Sequence, residues 1–214
     1  MRFLTALVFG VGVLGACHRA SPLLSPAPNK LDAVGPDSFT VRFATTRGDF
    51  DLKVHRDWSP RGADRLYWLF DHKFYDGARF FRVVPNFVVQ FGMHGDTAIN
   101  RAWKDRRFAD DSVLRSNVRG TLSFATGGPN TRTTQVFINL KDNQRLDRLG
   151  FSVVAQVVAG MNVVDSLYKD YGDGPPRGKG PSQDTIAKDG EAYLAREFPK
   201  LDRVITARVV KRWK

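Results

Sequence analysis

A mostly β fold, with eight short strands closing an antiparallel barrel capped by two α-helices, is what the 214-residue sequence predicts. Three observations carry this expectation. Apolar and polar side chains alternate at period two; the runs are short, rich in Val, Phe and Thr, and separated by Gly and Pro; and helical spacing recurs in only two clear stretches.

The first hairpin is the plainest element. Phe39, Val41 and Phe43 alternate with Thr40, Arg42 and Ala44, and after a turn at Arg47-Gly48 the residues Phe50, Leu52 and Val54 alternate with Asp51, Lys53 and His55. One face of each strand is therefore apolar. Ser59-Pro60 next offers an N-cap followed by proline at the first helical position. Ala63, Leu66, Tyr67 and Phe70 then fall at i, i+3, i+4 and i+7, a helix expected to end near Asp76-Gly77. Further strands are expected at 79–84, 87–92, 119–125, 135–140, 151–158 and 203–211. The second helix is expected near 161–170, on Met161, Val164, Leu167 and Tyr168. Residues 93–119 show little periodicity and read as a long loop pinned by Trp103 and Phe108. The stretch 189–198 reads as a short structural helix near the closing strand.

Composition narrows the class. With 42% apolar and 26% charged residues and one cysteine, the chain is neither disordered, nor a disulfide-stapled miniprotein, nor a multi-span membrane protein. Cys17 alone excludes an internal disulfide and a Cys-based zinc site, and His18, His55, His72 and His94 have no metal-ligand spacing. No metal and no cofactor are expected. The 33 basic residues exceed the 22 acidic ones but are scattered. They read as a solvated cationic surface, so nucleic acid is not an expected partner, and a monomer is the default.

The N-terminus has the shape of an export signal. Arg2 precedes an apolar run over residues 3–15, too short to span a bilayer. Leu14-Gly15-Ala16-Cys17 resembles the bacterial lipobox. Residues 1–16 are thus expected to be a lipoprotein signal peptide, with Cys17 the lipidated residue. Residues 17–37, four of them proline, are expected to form a flexible tether with a reach of roughly 60 Å. Residues 38–214 form the folded domain. The expected location is the extracytoplasmic face of the bacterial cell envelope, with the membrane a partner through the lipid anchor.

Two segments carry the chemistry: F-F-R-V-V-P-N-F-V-V-Q-F-G over 80–92 and G-T-L-S-F-A-T-G-G-P-N-T-R-T-T-Q-V-F-I over 120–138. Together they resemble the cyclophilins, peptidyl-prolyl cis-trans isomerases whose signatures run F-H-R-V-I-x-x-F-M-x-Q-G-G and S-M-A-x-x-G-P-N-T-x-x-S-Q-F-F-I. The likeness continues through Phe74-Tyr75-Asp76-Gly77, Leu146-Asp147 and residues 158–165, in family order from about 38 to 211. Val88 stands where the family usually has Met, Arg145 where many members have Trp, Gly150-Phe151 near the family's groove histidine, and Phe91 separates Gln90 from its glycine.

The resemblance implies a cyclophilin-like barrel that accelerates X-Pro isomerisation in proline-containing polypeptides. It implies Arg82 and Gln90 as catalytic residues, and Phe87, Val88, Ala125, Thr126, Gln135, Phe137 and Leu146 as substrate-binding residues. Period two supports part of this, since Gln135 and Phe137 share one strand face while Val136, Ile138 and Leu140 share the other. Arg145 reads as a rim residue. The reading from another class is a non-catalytic proline-peptide-binding or chaperone-like module, favoured by Val88, Arg145 and Gly150. Two weaker constellations remain. The 172–180 segment lacks the residues of a phosphate-binding loop and reads as a connection. Asp110-Asp111 lacks the opposed geometry of a carboxylate pair.

Overall fold

The structure is a computed structural model that describes residues 21–31 and 33–214. The leader and Cys17 lie outside the described residues. Eight strands are present among the described residues: β1 (Ser38–Thr45), β2 (Gly48–His55), β3 (Arg82–Val84), β4 (Val88–Phe91), β5 (Thr121–Phe124), β6 (Val136–Asn139), β7 (Val153–Ala159) and β8 (Val204–Trp213). They form one antiparallel sheet in the order β3-β4-β6-β5-β7-β2-β1-β8. Phe39, Val41, Phe43, Phe50, Leu52 and Val54 are all buried on its concave side, as their alternation requires.

The barrel is open where a closed one was expected. β3 and β8 end the ladder and do not pair with each other. The backbone ahead of β3 meets the start of β8, through an isolated Arg79–Arg203 bridge and the bonds Phe80 N–H to Asp202 O (3.0 Å), Val204 N–H to Ala78 O (2.9 Å) and Gly77 N–H to Val204 O (2.9 Å). Beyond that point Phe81 turns into a second apolar cluster with Ile186, Tyr193, Leu194, Phe198 and Leu201. A helix thus packs where closure would have needed a strand.

The helices are more numerous than the sequence predicts: α1 (Pro28–Leu31), α2 (Pro60–Asp71), α3 (Thr97–Trp103), α4 (Met161–Asp165) and α5 (Gln183–Glu197). α2 stops at Asp71, short of Asp76-Gly77. Ser59 is its N-cap position but accepts no bond there. Instead the Asp111 carboxylate accepts from Ser59 Oγ (2.6 Å) and from the Gly62 N–H (2.9 Å), so a loop carboxylate 49 positions away caps the helix. α3 lies inside the stretch read as a loop. Asp96 caps it through the Ala98 N–H, and its few apolar residues, Ile99 and Trp103, are both buried, so tertiary packing supplies what the pattern lacked. α5 extends from Gln183, well ahead of the expected 189.

Part of the segment expected to be a free tether is packed on the domain. Leu23 and Leu31 are buried against the main core, Trp103 Nε1–H donates to Leu23 O (2.9 Å), and the Gly35 N–H donates to Asp64 Oδ1 (2.9 Å). These contacts dock the segment from Leu23 onward on α2 and α3. No helix among the described residues is long and apolar enough to cross a membrane.

Two histidines link the fold to pH. His55 lies stacked on Trp58, and His94 packs on Phe74 while its Nδ1 accepts from the Asp96 N–H (2.9 Å). Burial pushes both imidazoles below the ordinary 6.5. The unfolded chain therefore binds protons first as pH falls, and stability declines as pH drops through about 6.5 toward the depressed native values. A series of thermal melts from pH 8 to pH 5 is expected to show this fall, and to show it shallower in His94→Gln. A melting temperature flat across that range contradicts it.

Candidate active site

Three adjacent strands line up the first residues of the site. In the antiparallel register Arg82 on β3 lies opposite Gln90 on β4, and Gln90 lies opposite Phe137 on β6. Directly opposed residues share a face, so the three side chains form a row on the sheet's outer side. Val88, two residues before Gln90, extends the row. Gly92 makes this possible: at φ +104° its missing Cβ would stand 2.5 Å from Thr134 O, so only glycine lets β4 approach the 134–135 backbone so closely. Gln90 Nε2–H consequently reaches Gln135 Oε1 at 2.8 Å.

The apolar wall has its own small core. Val88, Phe137 and Leu146 are buried together, with Phe87, Ala125 and Phe151 packed around them. Leu146 arrives on a 3-10 helix (Gln144–Leu149), which a buried polar hub fastens to the sheet. Asn117 donates to Asp147 Oδ1 and to Phe151 O (both 2.8 Å), and accepts from Ser123 Oγ (2.9 Å) and Asn139 Nδ2 (3.2 Å). Burial alone would raise the Asp147 carboxyl, but the bonds from Ser116 and Asn117 outweigh it and hold its pKa below the ordinary value. The resulting groove has a volume of about 710 Å³, room for a proline and its neighbours, and every substrate-binding residue expected from the sequence lines it. The Thr126 hydroxyl is engaged inside the 126–131 loop by Gly128 and Thr131, so what it offers a peptide is backbone.

Arg82 sits at the polar end, its side chain only 14% exposed. Nη1–H donates to Gln90 Oε1 (3.1 Å), and the guanidinium carbon stands 5.5 Å from the Phe87 ring centre. Its other partner is one the sequence did not reveal. Asp173 accepts from Nε (2.6 Å) and Nη2 (3.1 Å), and the Arg82 bond first, with its charge, holds the Asp173 carboxyl below its usual range. The segment read as a mere connection is thus a wall of the groove, with Gly174, Pro175, Pro176 and Arg177 beside Asp173. Nothing in the residue pattern marks this aspartate out, since it has no periodic relation to the strands.

Two other positions are settled here. Phe151 meets Phe137 edge-on at 5.4 Å and completes the apolar wall. Arg145 is an exposed rim residue whose guanidinium lies 4.9 Å from the Phe87 ring centre. Among the described residues no cluster of three or more His, Cys, Asp or Glu is placed to hold a metal ion.

Fold and site together define a peptide-binding groove on a curled antiparallel sheet, apolar at one end and cationic at the other. Known proteins agree with that class. The family model described as cyclophilin type peptidyl-prolyl cis-trans isomerase/CLD matches residues 40–189. The chain is 33% identical over 135 residues to peptidyl-prolyl cis-trans isomerase B of Escherichia coli, covering 59% of this chain and 82% of that protein. It is 32% identical over 132 residues to a peptidyl-prolyl cis-trans isomerase of Acinetobacter baylyi, covering 59% and 70%. The crystal structure of a Cryptosporidium parvum cyclophilin type isomerase superposes with a TM-score of 0.61 at 19% identity, covering 82% of this chain and 99% of the other. A second structure of that protein was obtained in the presence of the dipeptide Ala-Pro. The chain belongs to the cyclophilin-type peptidyl-prolyl cis-trans isomerase family, whose reaction is rotation about the X-Pro peptide bond.

Proposed function

We propose that this isomerase accelerates X-Pro exchange in exported polypeptides while held at the extracytoplasmic face of the cell envelope by a lipid on Cys17, with Arg82 as the catalytic cation. The observation that carries the catalytic part is the Arg82 guanidinium fixed beside a proline-sized apolar wall of Val88, Phe137 and Leu146.

The physics of the reaction explains why this arrangement suffices. The barrier to amide rotation is about 18–20 kcal/mol and arises from resonance, so no bond has to break. A site accelerates rotation by binding the twisted amide better than either planar form. In the twisted state the prolyl nitrogen becomes pyramidal and regains a lone pair, to which a guanidinium N–H can donate. A ~10⁴-fold acceleration corresponds to about 5.4 kcal/mol of such differential binding. One cation in open water falls short of that, which is why the apolar wall matters: it excludes water from the bond to Arg82. Gln90 orients Arg82, and Gln135 with the backbone near Thr126 holds the flanking peptide.

NMR exchange spectroscopy on a short X-Pro peptide tests the catalytic part, with the wild-type chain against Arg82→Ala as the comparison. The anchor is supported by the position of the single cysteine behind an apolar leader. Expressed in a bacterial host with labelled palmitate, the wild-type chain is expected to take up label and partition into detergent, and Cys17→Ser to lose both properties. An unlabelled wild type, or a Cys17→Ser chain that still partitions into detergent, overturns the anchor.

A further inference from the structure

Asp173 is the only carboxylate among the residues lining the groove, and it is spent on the one cation that the reaction needs. We propose that Asp173 is a positioning residue for the isomerisation: its two-point bond sets the plane of the Arg82 guanidinium before a peptide arrives. This rests on Arg82 being the catalytic cation.

The geometry is that of a built support. A guanidinium has five N–H donors in a fixed fork. Asp173 takes two of them, through Nε and Nη2, and Gln90 takes a third through Nη1. Held from two sides, the plane cannot swing, and two donors stay unshared among the described residues for the twisted imide. Gln90 is in turn bonded to Gln135, so the chain Asp173–Arg82–Gln90–Gln135 runs the length of the groove's polar side.

Asp173 is itself fixed. Its Oδ1 accepts from the Gly174 N–H (2.9 Å) and its carbonyl accepts from the Gly180 N–H (2.8 Å). The loop closes so tightly that a Cβ on Gly178 would stand 2.2 Å from Asp173 O, and one on Gly180 3.0 Å from it. The glycines that made the segment look like a connection are what let it fold back on the aspartate. The base of the loop is clamped by Tyr171, whose ring meets Tyr168 and Phe198 at 5.0 Å each. Phe81, the neighbour of Arg82, belongs to the same apolar cluster as α5, on which Tyr171 packs. Both ends of the ion pair are rooted in one small core, so their relative placement is rigid.

A carboxylate beside a catalytic cation also weakens its field, and a bond that only quenched Arg82 would be an inhibitory latch. Two observations favour positioning. With the pair formed the groove keeps its volume of about 710 Å³, and Pro175 and Pro176 line it without filling it. Two guanidinium N–H donors also remain without a partner among the described residues. Orientation fixed before binding enters the rate through kcat, because it is felt most strongly in the transition state.

The test uses the full chain and an Ala-Pro peptide, with kcat and KM measured for wild type, Asp173→Ala, Asp173→Asn, Arg82→Ala and the double variant Arg82→Ala/Asp173→Ala. Asp173→Ala is expected to lower kcat about tenfold with little change in KM. Asp173→Asn, which keeps one acceptor, is expected to fall between it and wild type, and the double variant to be no slower than Arg82→Ala. In ¹⁵N spectra the Arg82 Nε–H signal is expected to be slow to exchange in wild type and lost by exchange in Asp173→Ala. An Asp173→Ala enzyme as fast as wild type or faster overturns the proposal in favour of no role or a latch. An equal loss in the Arg82→Ala background, or a loss confined to KM, overturns it as a structural or binding effect. Should Asp173→Ala fail to fold, Asp173→Asn carries the same comparisons. A wild type no faster than Arg82→Ala defeats the assignment of Arg82 itself, a result distinct from any of these.

Discussion

Replacing Arg82 with alanine is expected to lower kcat/KM for an X-Pro peptide by a factor on the order of 10²–10³, the range for deleting one preorganised donor from a partly desolvated site. The guanidinium meets that description: its side chain is 14% exposed, three of its donors are held by Asp173 and Gln90, and the Phe87 face lies 5.5 Å away. The apolar wall of Val88, Phe137 and Leu146 survives the substitution, so peptide binding should weaken less than turnover. Arg82→Lys is not expected to restore the rate. An ammonium is a point charge that cannot donate the planar two-point bond to Asp173 and still aim a second donor at the substrate. Exchange NMR under saturating peptide separates kcat from KM. An alanine variant within twofold of wild type would remove this guanidinium from the reaction.

The second large effect concerns stability. Phe91→Ala is expected to cost about 3–5 kcal/mol, the range for truncating a fully buried aromatic ring. Phe91 has no exposed surface and stands at the centre of an aromatic cluster, 5.1 Å from Phe80, 5.6 Å from Tyr75 and 5.9 Å from Phe43 between ring centres. These three partners come from β1, from the turn after α2 and from the stretch before β3, so the surroundings cannot collapse into the cavity without moving β4. Gln90 is the preceding residue on that strand, and the groove is expected to loosen with the core. Urea denaturation provides the measurement, with a lower midpoint at an unchanged slope. A loss below about 1 kcal/mol would mean that the site repacks freely.

That Gln135 and Phe137 share one face while Val136, Ile138 and Leu140 share the other was legible from alternation alone. The row Arg82, Gln90, Phe137 was not, because it depends on the register of three paired strands. Motif likeness then supplied roles that periodicity does not carry. The readings that needed correction share a different character. α3 was missed because a seven-residue helix with two buried apolar residues has too little pattern to stand out from a loop. Ser59 occupied the capping position, yet the carboxylate that performs the capping is Asp111, a loop residue set aside as half of an ineffective pair. The proline-rich segment looked free because Leu23 and Leu31 have no period, while in space both are buried in the main core and Leu23 O accepts from the Trp103 indole.

Local order was therefore written in the chain: which residues form strands and which side chains of the first hairpin face the core. Those properties follow from backbone periodicity and hydrophobic burial, which act between residues one to four positions apart. The groove arginine came from motif likeness. The folded arrangement alone decided that the barrel stays open, that α5 covers its flank, and that an aspartate 91 positions from Arg82 grips its guanidinium. An ion pair depends on the distance between two atoms in space, and no rule of spacing along a chain sets that distance.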